Sequence, residues 1–366
     1  MKITNRTNLF VANNYFTSYV MEPLERTVAR TIEREGLVRE GEGAIVVALS
    51  GGPDSMALLH LLLPWCRENE VRLSGAYIDH GLRPAENTIE RELVRNVCED
   101  NDVSFAHERI AVREYARERK ISLEHAARDL RYGALRRIAR EQGAQLIAVG
   151  HTADDQAEEI LLRLLRGGGR KGLSGMRYRN GDIIRPLLEV ERARLLEYLG
   201  EKNISYHLDS SNTDMRFLRN RVRHILLPLL EAKFESGIKN SLRKTASSLA
   251  EDEGLLEELT IKALDDVMLS SEPDEPGTGL RGIDIDRQGL NSLHPALRRR
   301  VLEQLLWRLG CRARFDHIMK IVDASADGRT GSELHLSKGL RVGVLRDRLT
   351  FSYPRGRKPW RGRLFA

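Results

Sequence analysis

The sequence predicts an α/β fold in which a parallel β-sheet is flanked by helices and followed by a mainly helical region with a few short strands. Three observations lead to this fold class. Apolar runs typical of buried strands alternate with helical patterns from residue 44 onward, which is the order found in βαβ units. A glycine-rich turn joins the first of these strands to the first helix. The strand signal then fades after Asp209, where a second region begins.

The alternating elements follow one another without long gaps. Strands are predicted at Ala44 to Leu49, Leu73 to Ile78, Val103 to Ile110 and Gln145 to Val149. Helices are predicted at Pro53 to Glu68, Ile89 to Asn101, Leu123 to Glu141 and Ala153 to Leu165. Ligands of such sheets bind beyond the carboxyl ends of the strands. The turn after Leu49, Asp79-His80 and Gly150-His151 all follow a strand in this way.

Helices predominate in the second region. A helical stretch is predicted from Phe217 to Leu269, with breaks near Pro228 and at Ser236-Gly237, and a loop is predicted from Ser270 to Gly279. Further elements are helices at Pro295 to Leu309 and Phe315 to Ala324, and short strands at Ser332 to Leu336, Leu340 to Leu345 and Leu349 to Tyr353. The predicted domains are a disordered extension at 1–20, an α/β domain at 21–212 and a mainly helical domain at 213–366.

The composition excludes several classes of protein. Of 366 residues, 41% are hydrophobic and 31% charged, as in globular proteins. No apolar run reaches the roughly 20 residues of a membrane span, and the N-terminus lacks the apolar core of a secretory signal. Cys66, Cys98 and Cys311 contain no CxxC pair, which argues against disulfide, zinc and iron–sulfur frameworks. We therefore expect a cytoplasmic protein with no membrane association.

The first strand ends in a turn suited to phosphate. Ser50, Gly51, Gly52, Pro53, Asp54 and Ser55 form this loop. Such a turn before a helix exposes backbone N–H groups and the positive end of the helix dipole to an anion. The lysine of a Walker A loop is absent, and Asp54 would repel phosphate unless a divalent cation lay between them. The loop therefore predicts nucleotide binding with Mg²⁺ held by Asp54.

The pattern SGGxDS resembles the loop of the N-type ATP pyrophosphatases, the PP-loop proteins with an adenine nucleotide alpha hydrolase-like fold. Further stretches are similar to motifs of the tRNA(Ile)-lysidine synthetases. They are YIDHGLRP, EHAARDLRYGAL, GHTADDQAEEILLRLLRGGGRKGLSGM, IIRPLLEVERARL and DSSNTDMRFLRNRVRHILLPLL, which together with the first strand and its loop are distributed over residues 44 to 230 in the order found in the family.

The resemblance implies a two-step reaction that uses ATP, Mg²⁺, L-lysine and an isoleucine tRNA with anticodon CAU. The C2 carbonyl oxygen of the wobble cytidine attacks the α-phosphate of ATP and releases pyrophosphate. The ε-amine of lysine then displaces AMP and leaves lysidine. In that family the α/β domain is catalytic and the helical domain contributes to tRNA selection. The oligomeric state is left open, with a homodimer among the alternatives.

The stretch HTADDQAEE predicts a helix that begins beside the ligand crevice. Thr152 and Asp155 have the spacing of a capping box, and Asp154 and Glu158 share one helix face. We expect Asp154, Asp155 and Glu158 to share two tasks. One is to bind the lysine ammonium or Mg²⁺, and the other is to remove a proton from that ammonium before it attacks. The alternative is an acidic first turn that only stabilises the helix dipole.

Other candidates follow the strands or lie on the next helix. His151, Asp79 and His80 are placed beside the nucleotide by analogy with the family, and a structural role is the alternative. Arg128 and Arg131 share a helix face and are candidates for phosphate contacts, although exposed arginines often have no specific partner.

Basic clusters indicate where tRNA would bind. The residues predicted to contact it are Arg166, Arg170, Lys171, Arg219 and Arg223. A third cluster, Arg355 to Arg363 around Trp360, is either an RNA contact or a solvated tail. Rival functions are a tRNA 2-thiolating enzyme, an amidotransferase, and a basic RNA-binding module that retains only the remains of a nucleotide pocket. The first rival requires reactive or cluster-binding cysteines, which the spacing does not supply.

Overall fold

The computed structural model describes residues 23–82, 84–208, 214–273 and 280–354. The chain forms two compact units, the first from the residues up to His151 with Asp182–Leu208, and the second from Thr152–Gly181 with the residues after 208. Residues 152–181 thus group with the second unit, although they precede residue 212 in the chain. The domain boundaries at 21–212 and 213–366 stay a prediction. The extension predicted at 1–20 lies outside the described residues.

The first unit is an α/β layer structure, with elements numbered along the whole chain. Its helices are α1 (Leu24–Arg34), α2 (Pro53–Glu68), α3 (Pro84–Asp100), α4 (Val112–Arg119), α5 (Leu123–Glu141) and α8 (Arg192–Glu201). Its strands are β1 (Ala44–Leu49), β2 (Arg72–Asp79), β3 (Ser104–Arg109), β4 (Leu146–Ala148) and β6 (Ile183–Ile184). These strands lie in the order β3-β2-β1-β4-β6, and each neighbouring pair is parallel. The predicted parallel sheet is confirmed.

Burial explains why these segments form strands. β1 consists entirely of apolar residues, five of its six positions are buried, and it pairs with β2 on one side and β4 on the other. One sheet face contributes Val46 and Ile147 to a core that also contains Leu135 and Ile138 of α5. The chain leaves β1 toward β2 and later returns on the opposite side at β4. This reversal is the switch point at which parallel sheets bind ligands.

The second unit contains helices and an antiparallel sheet. Its helices are α6 (Ala153–Leu165), α7 (Arg170–Leu173), α9 (Leu218–Arg221), α10 (Leu227–Lys233), α11 (Ile238–Val267), α12 (Arg287–Ser292), α13 (Pro295–Arg308) and α14 (Phe315–Asp327). Its strands are β5 (Arg179–Asn180), β7 (Met268–Pro273), β8 (Leu280–Asp286), β9 (Glu333–His335), β10 (Arg341–Val344) and β11 (Arg348–Ser352). The last five pair antiparallel in the order β7-β8-β11-β10-β9.

Two predictions for the second region need correction. Ser270 to Pro273 were predicted as loop but extend β7, because Ser271 pairs with Ile283, a buried residue of β8. Pro228 does not break the helical path. It lies in the first turn of α10, directly after a π-helical segment at Val222–Leu226, and such a segment interrupts the regular hydrogen bonds to the fourth preceding residue, which a proline cannot make. No described helix is long and apolar enough to span a membrane.

Candidate active site

The phosphate loop is held in shape by its own serines. Ser50 donates its backbone N–H to Ser55 Oγ at 3.1 Å, and that hydroxyl donates to the Gly52 carbonyl at 2.9 Å. Gly51 has φ +77°, a left-handed conformation that favours glycine. Pro53 begins α2 and Gly52 is its N-cap residue. The predicted residues thus form one turn at the start of a helix, with local hydrogen bonds that fix its path.

A close approach between two elements adds a requirement for glycine. An added Cβ at Gly150, two residues after the end of β4, would lie 3.0 Å from the Asp54 carbonyl oxygen. Backbone atoms cannot give way as a flexible side chain can. Gly150 therefore allows the carboxyl end of β4 to pack against the first turn of α2.

Asp54 is the acid that the sequence assigned to a metal. Its side chain is 22% exposed, and Oδ1 lies 3.6 Å from Arg192 Nε, which is an ion-pair distance longer than a hydrogen bond. No cluster of three or more metal-ligating side chains occurs within the described residues. Mg²⁺ suits such a site, because it is usually held by one or two carboxylates together with water and phosphate oxygens. The residues present therefore fit the predicted ion.

Asp79 shapes the turn that follows β2. Its Oδ1 accepts the Gly81 N–H at 2.7 Å and also a hydrogen bond from Asn87, and Oδ2 lies 3.9 Å from Arg109 Nε. His80 follows it and lines a cavity of about 380 Å³ together with Arg109 and the start of α4. Asp79 thus has structural partners, and a nucleotide role for it and for His80 stays a prediction.

His151 is paired with an arginine that the sequence analysis did not single out. Arg185 donates from Nε to His151 Nδ1 at 3.2 Å, and Arg185 is only 6% exposed. Because Nδ1 accepts this hydrogen bond, the neutral imidazole carries its proton on Nε2. Arg185 directly follows β6, at the carboxyl end of a parallel strand. The same rule identified Asp79 and His151, but no strand was predicted at Ile183–Ile184, so Arg185 was missed.

Arginines converge on a half-buried tyrosine of α5, Tyr132. The guanidinium carbons of Arg128 and Arg131 lie 5.1 and 5.2 Å from the centre of the Tyr132 ring. Burial alone would raise the pKa of the Tyr132 hydroxyl, but the positive charges of Arg131, Arg128 and Arg185 together lower that pKa. This region of the first unit is therefore electropositive and suited to an anion, although the predicted contact between Arg128 and a nucleotide is untested.

In the second unit, α6 begins where its sequence predicts. Thr152 Oγ1 accepts the Asp155 N–H at 3.3 Å, and Asp155 Oδ2 accepts the Thr152 N–H at 2.9 Å. This reciprocal pair is the predicted capping box. One carboxylate oxygen of Asp155 is therefore occupied by the helix itself.

The other carboxylate oxygen of Asp155 and both oxygens of Glu158 accept hydrogen bonds from arginines. Glu158, 1% exposed, accepts from Arg223 Nε at 2.5 Å and from Arg219 Nε at 3.0 Å. Both guanidiniums also bind Asp155 Oδ1, at 2.9 and 3.0 Å. Burial lowers the pKa of Arg219, but Asp155 and Glu158 raise it further, so the cation persists. The structure thus joins residues predicted for lysine binding to residues predicted for tRNA binding.

Asp154 faces a different cation. Its Oδ1 lies 3.2 Å from Lys239 Nζ, and Glu231 Oε1 lies 3.4 Å from the same nitrogen. Burial lowers the pKa of Lys239, but the two carboxylates raise it above its usual value. An ammonium group is therefore stable between Asp154 and Glu231.

The basic segment after α6 rests largely on acidic residues of α11. Arg170 pairs with Asp252, and Arg177 Nη2 lies 2.7 Å from Glu257 Oε2. Lys171 Nζ lies 4.5 Å from the centre of the Trp307 ring, a cation–π distance. Arg166 is exposed. The cluster predicted at Arg355 to Arg363 lies outside the described residues.

Comparison with known proteins places this geometry in context. Residues 21–230 match the family described as the PP-loop domain. The tRNA(Ile)-lysidine synthase of Porphyromonas gingivalis is 41% identical over 62% of this chain and 49% of its own length. The enzymes of the same name from Clostridioides difficile and Geobacillus kaustophilus are 32% and 34% identical over 86% and 88% of this chain, and over 67% and 69% of their own lengths. The chain thus spans about half to two thirds of these relatives.

A solved structure shares the fold. The U34-tRNA thiolase NcsA of Methanococcus maripaludis, a structure with a [4Fe-4S] cluster, superposes with a TM-score of 0.50. It is 20% identical and covers 62% of this chain and 78% of its own. At this identity the similarity establishes the fold alone.

Proposed function

The chain belongs to the PP-loop family and, within it, to the tRNA(Ile)-lysidine synthases, and from this premise we propose that it ligates L-lysine to the wobble cytidine of an isoleucine tRNA with anticodon CAU. The C2 carbonyl oxygen attacks the α-phosphate of ATP, and pyrophosphate leaves. The ε-amine of lysine then attacks C2, and AMP leaves. The observation that carries the proposal is the lysine-free phosphate loop with Asp54 at its centre.

The first unit supplies the groups for the adenylation step. Backbone N–H groups at the start of α2 would bind the pyrophosphate portion of ATP, which becomes the leaving group. The electropositive region around Arg128, Arg131 and Arg185 would stabilise negative charge that develops on the α-phosphate. His151, oriented by Arg185, would donate a hydrogen bond from Nε2 to phosphate or to the base.

Asp54 would hold Mg²⁺ together with water and phosphate oxygens, and the bound ion would neutralise charge on the triphosphate. Arg192, at 3.6 Å from the Asp54 carboxylate, would keep that side chain oriented. Mg²⁺ bound in this way needs no second carboxylate from the protein, and the loop provides one carboxylate, that of Asp54.

The carboxylates of α6 are proposed to receive the lysine substrate. The ammonium of Lys239 lies between Asp154 and Glu231, which supports Asp154 as the residue that binds a substrate ammonium. Asp155 and Glu158 have arginine partners and are proposed to position Arg219 and Arg223. An ammonium must lose a proton before it can attack, and the α6 carboxylates are the proposed acceptors.

Partners and location follow from the same premise. The tRNA would contact Arg166, Arg170, Lys171, Arg219 and Arg223. Of these, Arg219 and Arg223 would first have to leave the carboxylates of α6. A cytoplasmic location and a homodimer stay predictions.

The thiolase alternative lacks a suitable cysteine. Burial raises the pKa of Cys66 to about 12, and burial with nearby Glu99 raises that of Cys98 to about 12. Cys311 is buried as well. A sulfur carrier must react as a thiolate, which these environments disfavour. Lysine ligation is therefore the better proposal.

One assay tests the proposal. The protein is incubated with ATP, Mg²⁺, labelled lysine and the isoleucine tRNA, with a tRNA carrying uridine at the wobble position as control. We expect lysine incorporation and AMP release that depend on the wobble cytidine. Release of ADP and phosphate, or modification without lysine, would contradict the proposed function.

A further inference from the structure

A buried glutamate lies directly behind the phosphate loop. We propose that Glu90 and His207 are positioning residues that hold Gly51 in the conformation in which the loop binds the pyrophosphate portion of ATP. The inference rests on the proposed use of ATP. Neither residue was a candidate from the sequence, and both belong to the first unit.

Glu90 packs against Gly51 from the side of α3. A Cβ placed on Gly51 would lie 3.4 Å from Glu90 Cβ and 3.6 Å from Glu90 Cγ. Glu90 is 7% exposed, so this contact is a packed one. Because Gly51 is in the left-handed region, its backbone has little intrinsic preference for the observed conformation over others. The wall formed by Glu90 limits those alternatives.

The Glu90 carboxylate is itself held on both oxygens. The Tyr77 hydroxyl, buried at the end of β2, donates to Oε2 at 2.9 Å. His207 Nδ1 lies 3.3 Å from Oε1, an ion-pair distance without the alignment of a hydrogen bond. A buried carboxylate requires such partners, and here they fix the side chain against the loop.

His207 also contacts the loop through its backbone. Its N–H donates to the Gly51 carbonyl at 2.8 Å. In a trans peptide the carbonyl and the following N–H point in opposite directions, so fixing the Gly51 carbonyl also fixes the direction of the Gly52 N–H. The Gly52 N–H makes only a long contact, 3.3 Å, with Ser50 Oγ. That donor is therefore held in a fixed direction and is available to a phosphate oxygen.

These contacts join three separate stretches of the chain at one peptide. Glu90 limits the Gly51 backbone, Tyr77 and His207 hold Glu90, and His207 orients the peptide that follows Gly51. A loop that binds phosphate through backbone groups depends on their direction, because Ser50 to Ser55 include no lysine or arginine that could compensate for a misdirected N–H. Loss of the support should therefore affect ligands with β- and γ-phosphates and spare AMP.

The test compares binding of ATP and AMP to the full chain with Mg²⁺ present, measured by calorimetry. We expect Glu90→Ala to weaken ATP binding about 10-fold and to change AMP binding less than about twofold. Glu90→Gln keeps the shape and an acceptor for the Tyr77 hydroxyl and should restore most of the ATP affinity. Glu92→Ala is the matched control, because Glu92 lies on the same helix with 44% of its side chain exposed.

A second pair of variants tests the backbone contact if Glu90→Ala does not fold. His207→Pro removes the N–H that binds Gly51, whereas His207→Ala keeps it, so the proline variant should lose more ATP affinity. The positioning role alone would be overturned if the variants lost equal affinity for ATP and AMP. It would also be overturned if neither the Glu90 variants nor the His207 variants lost affinity for ATP. An unaltered protein that does not bind ATP would overturn the proposed function and this inference together.

Discussion

The phosphate loop of the first unit and the α6 carboxylates of the second use opposite means to form a polar site. The loop consists mostly of backbone groups and serines, and its side-chain hydrogen bonds join residues at most five apart, although the backbone of His207 also donates to Gly51. The α6 carboxylates are charged, and their arginine partners lie 61 to 68 residues along the chain. The first arrangement is set mainly by neighbouring residues, with support from Glu90 and His207, whereas the second exists only when the tertiary structure has formed.

This difference determines whether a substitution in each region affects function, stability or both. In the loop, substitution of one side chain can abolish catalysis while the fold persists. Buried charges that neutralise one another support the fold itself, because removal of one leaves the other unpaired. Function and stability should therefore separate in the first unit and coincide in the second.

The largest effect is expected from Arg223→Ala. This change leaves Glu158, 1% exposed, with one arginine instead of two. We expect the free energy of unfolding to fall by about 3 kcal/mol, the lower end of the range for a broken buried ion pair. Urea denaturation monitored by circular dichroism measures it.

Arg216→Ala provides the matched comparison for this variant. Arg216 lies in the same basic stretch and pairs with Asp214, but its side chain is 87% exposed. Its removal should leave the denaturation midpoint unchanged, since exposed ion pairs contribute little. Equal destabilisation by the two substitutions would show that burial of the α6 carboxylates is not the cause.

The next effect separates function from stability in the loop. Asp54→Ala should reduce pyrophosphate release by at least about 100-fold, because loss of metal stabilisation costs several kcal/mol in the transition state. Its denaturation midpoint should stay close to that of the unaltered protein. Glu68→Ala, an exposed position at the other end of α2, is the control and should keep full activity. A large loss of stability in Asp54→Ala would contradict the separation.

The sequence predicts the local arrangement well for physical reasons. The bounds of β1, α2, α5 and α6 agree with the structure because each is set by nearby residues, such as Pro53 at the start of α2 and Thr152 at the start of α6. The phosphate loop follows from the same local information.

Partners distant in sequence were not predictable. Nothing in HTADDQAEE indicates that Arg219 and Arg223 occupy its carboxylates, or that Lys239 faces Asp154. Strand β7 was missed for a similar reason, because its sequence, MLSSEP, lacks a strand pattern and becomes a strand only beside β8. Arg185 was missed as well, because β6 is only two residues long and was not predicted as a strand.

A smaller effect should appear with acid in the second unit. Glu253 is 2% exposed, and hydrogen bonds from Arg300 hold its pKa below the usual value of 4.5. A depressed pKa contributes stability that is present above pH 4.5 and is lost as pH falls through the folded-state pKa. Glu253→Gln should cost about 1.5 kcal/mol at pH 7, with the difference from the unaltered protein shrinking below pH 4.5. Denaturation at pH 7 and pH 3.5 measures it, and a constant difference would contradict the pairing.

The smallest effects concern tRNA affinity, which should depend on the ion pairs that arginines already make within the second unit. Arg177 is paired with Glu257, whereas Arg166 is exposed and has no ion-pair partner among the described residues. A cation that must leave a carboxylate before it binds phosphate gains less from the exchange than one that only leaves water. Arg166→Gln should therefore weaken tRNA binding about threefold and lower the salt slope by about 0.7 to 0.9, as for one lost phosphate contact.

Arg177→Gln should weaken tRNA binding less than about twofold, and Glu257→Gln should strengthen it, because the latter removes the ion pair with Arg177 and a negative charge. Filter binding at several salt concentrations measures all three variants. If Arg177→Gln proves as costly as Arg166→Gln while Glu257→Gln has no effect, the pair with Glu257 does not restrain Arg177. The acidic face of α11 would then have no influence on RNA, and the contrast between locally fixed and mutually neutralised groups would hold for stability alone.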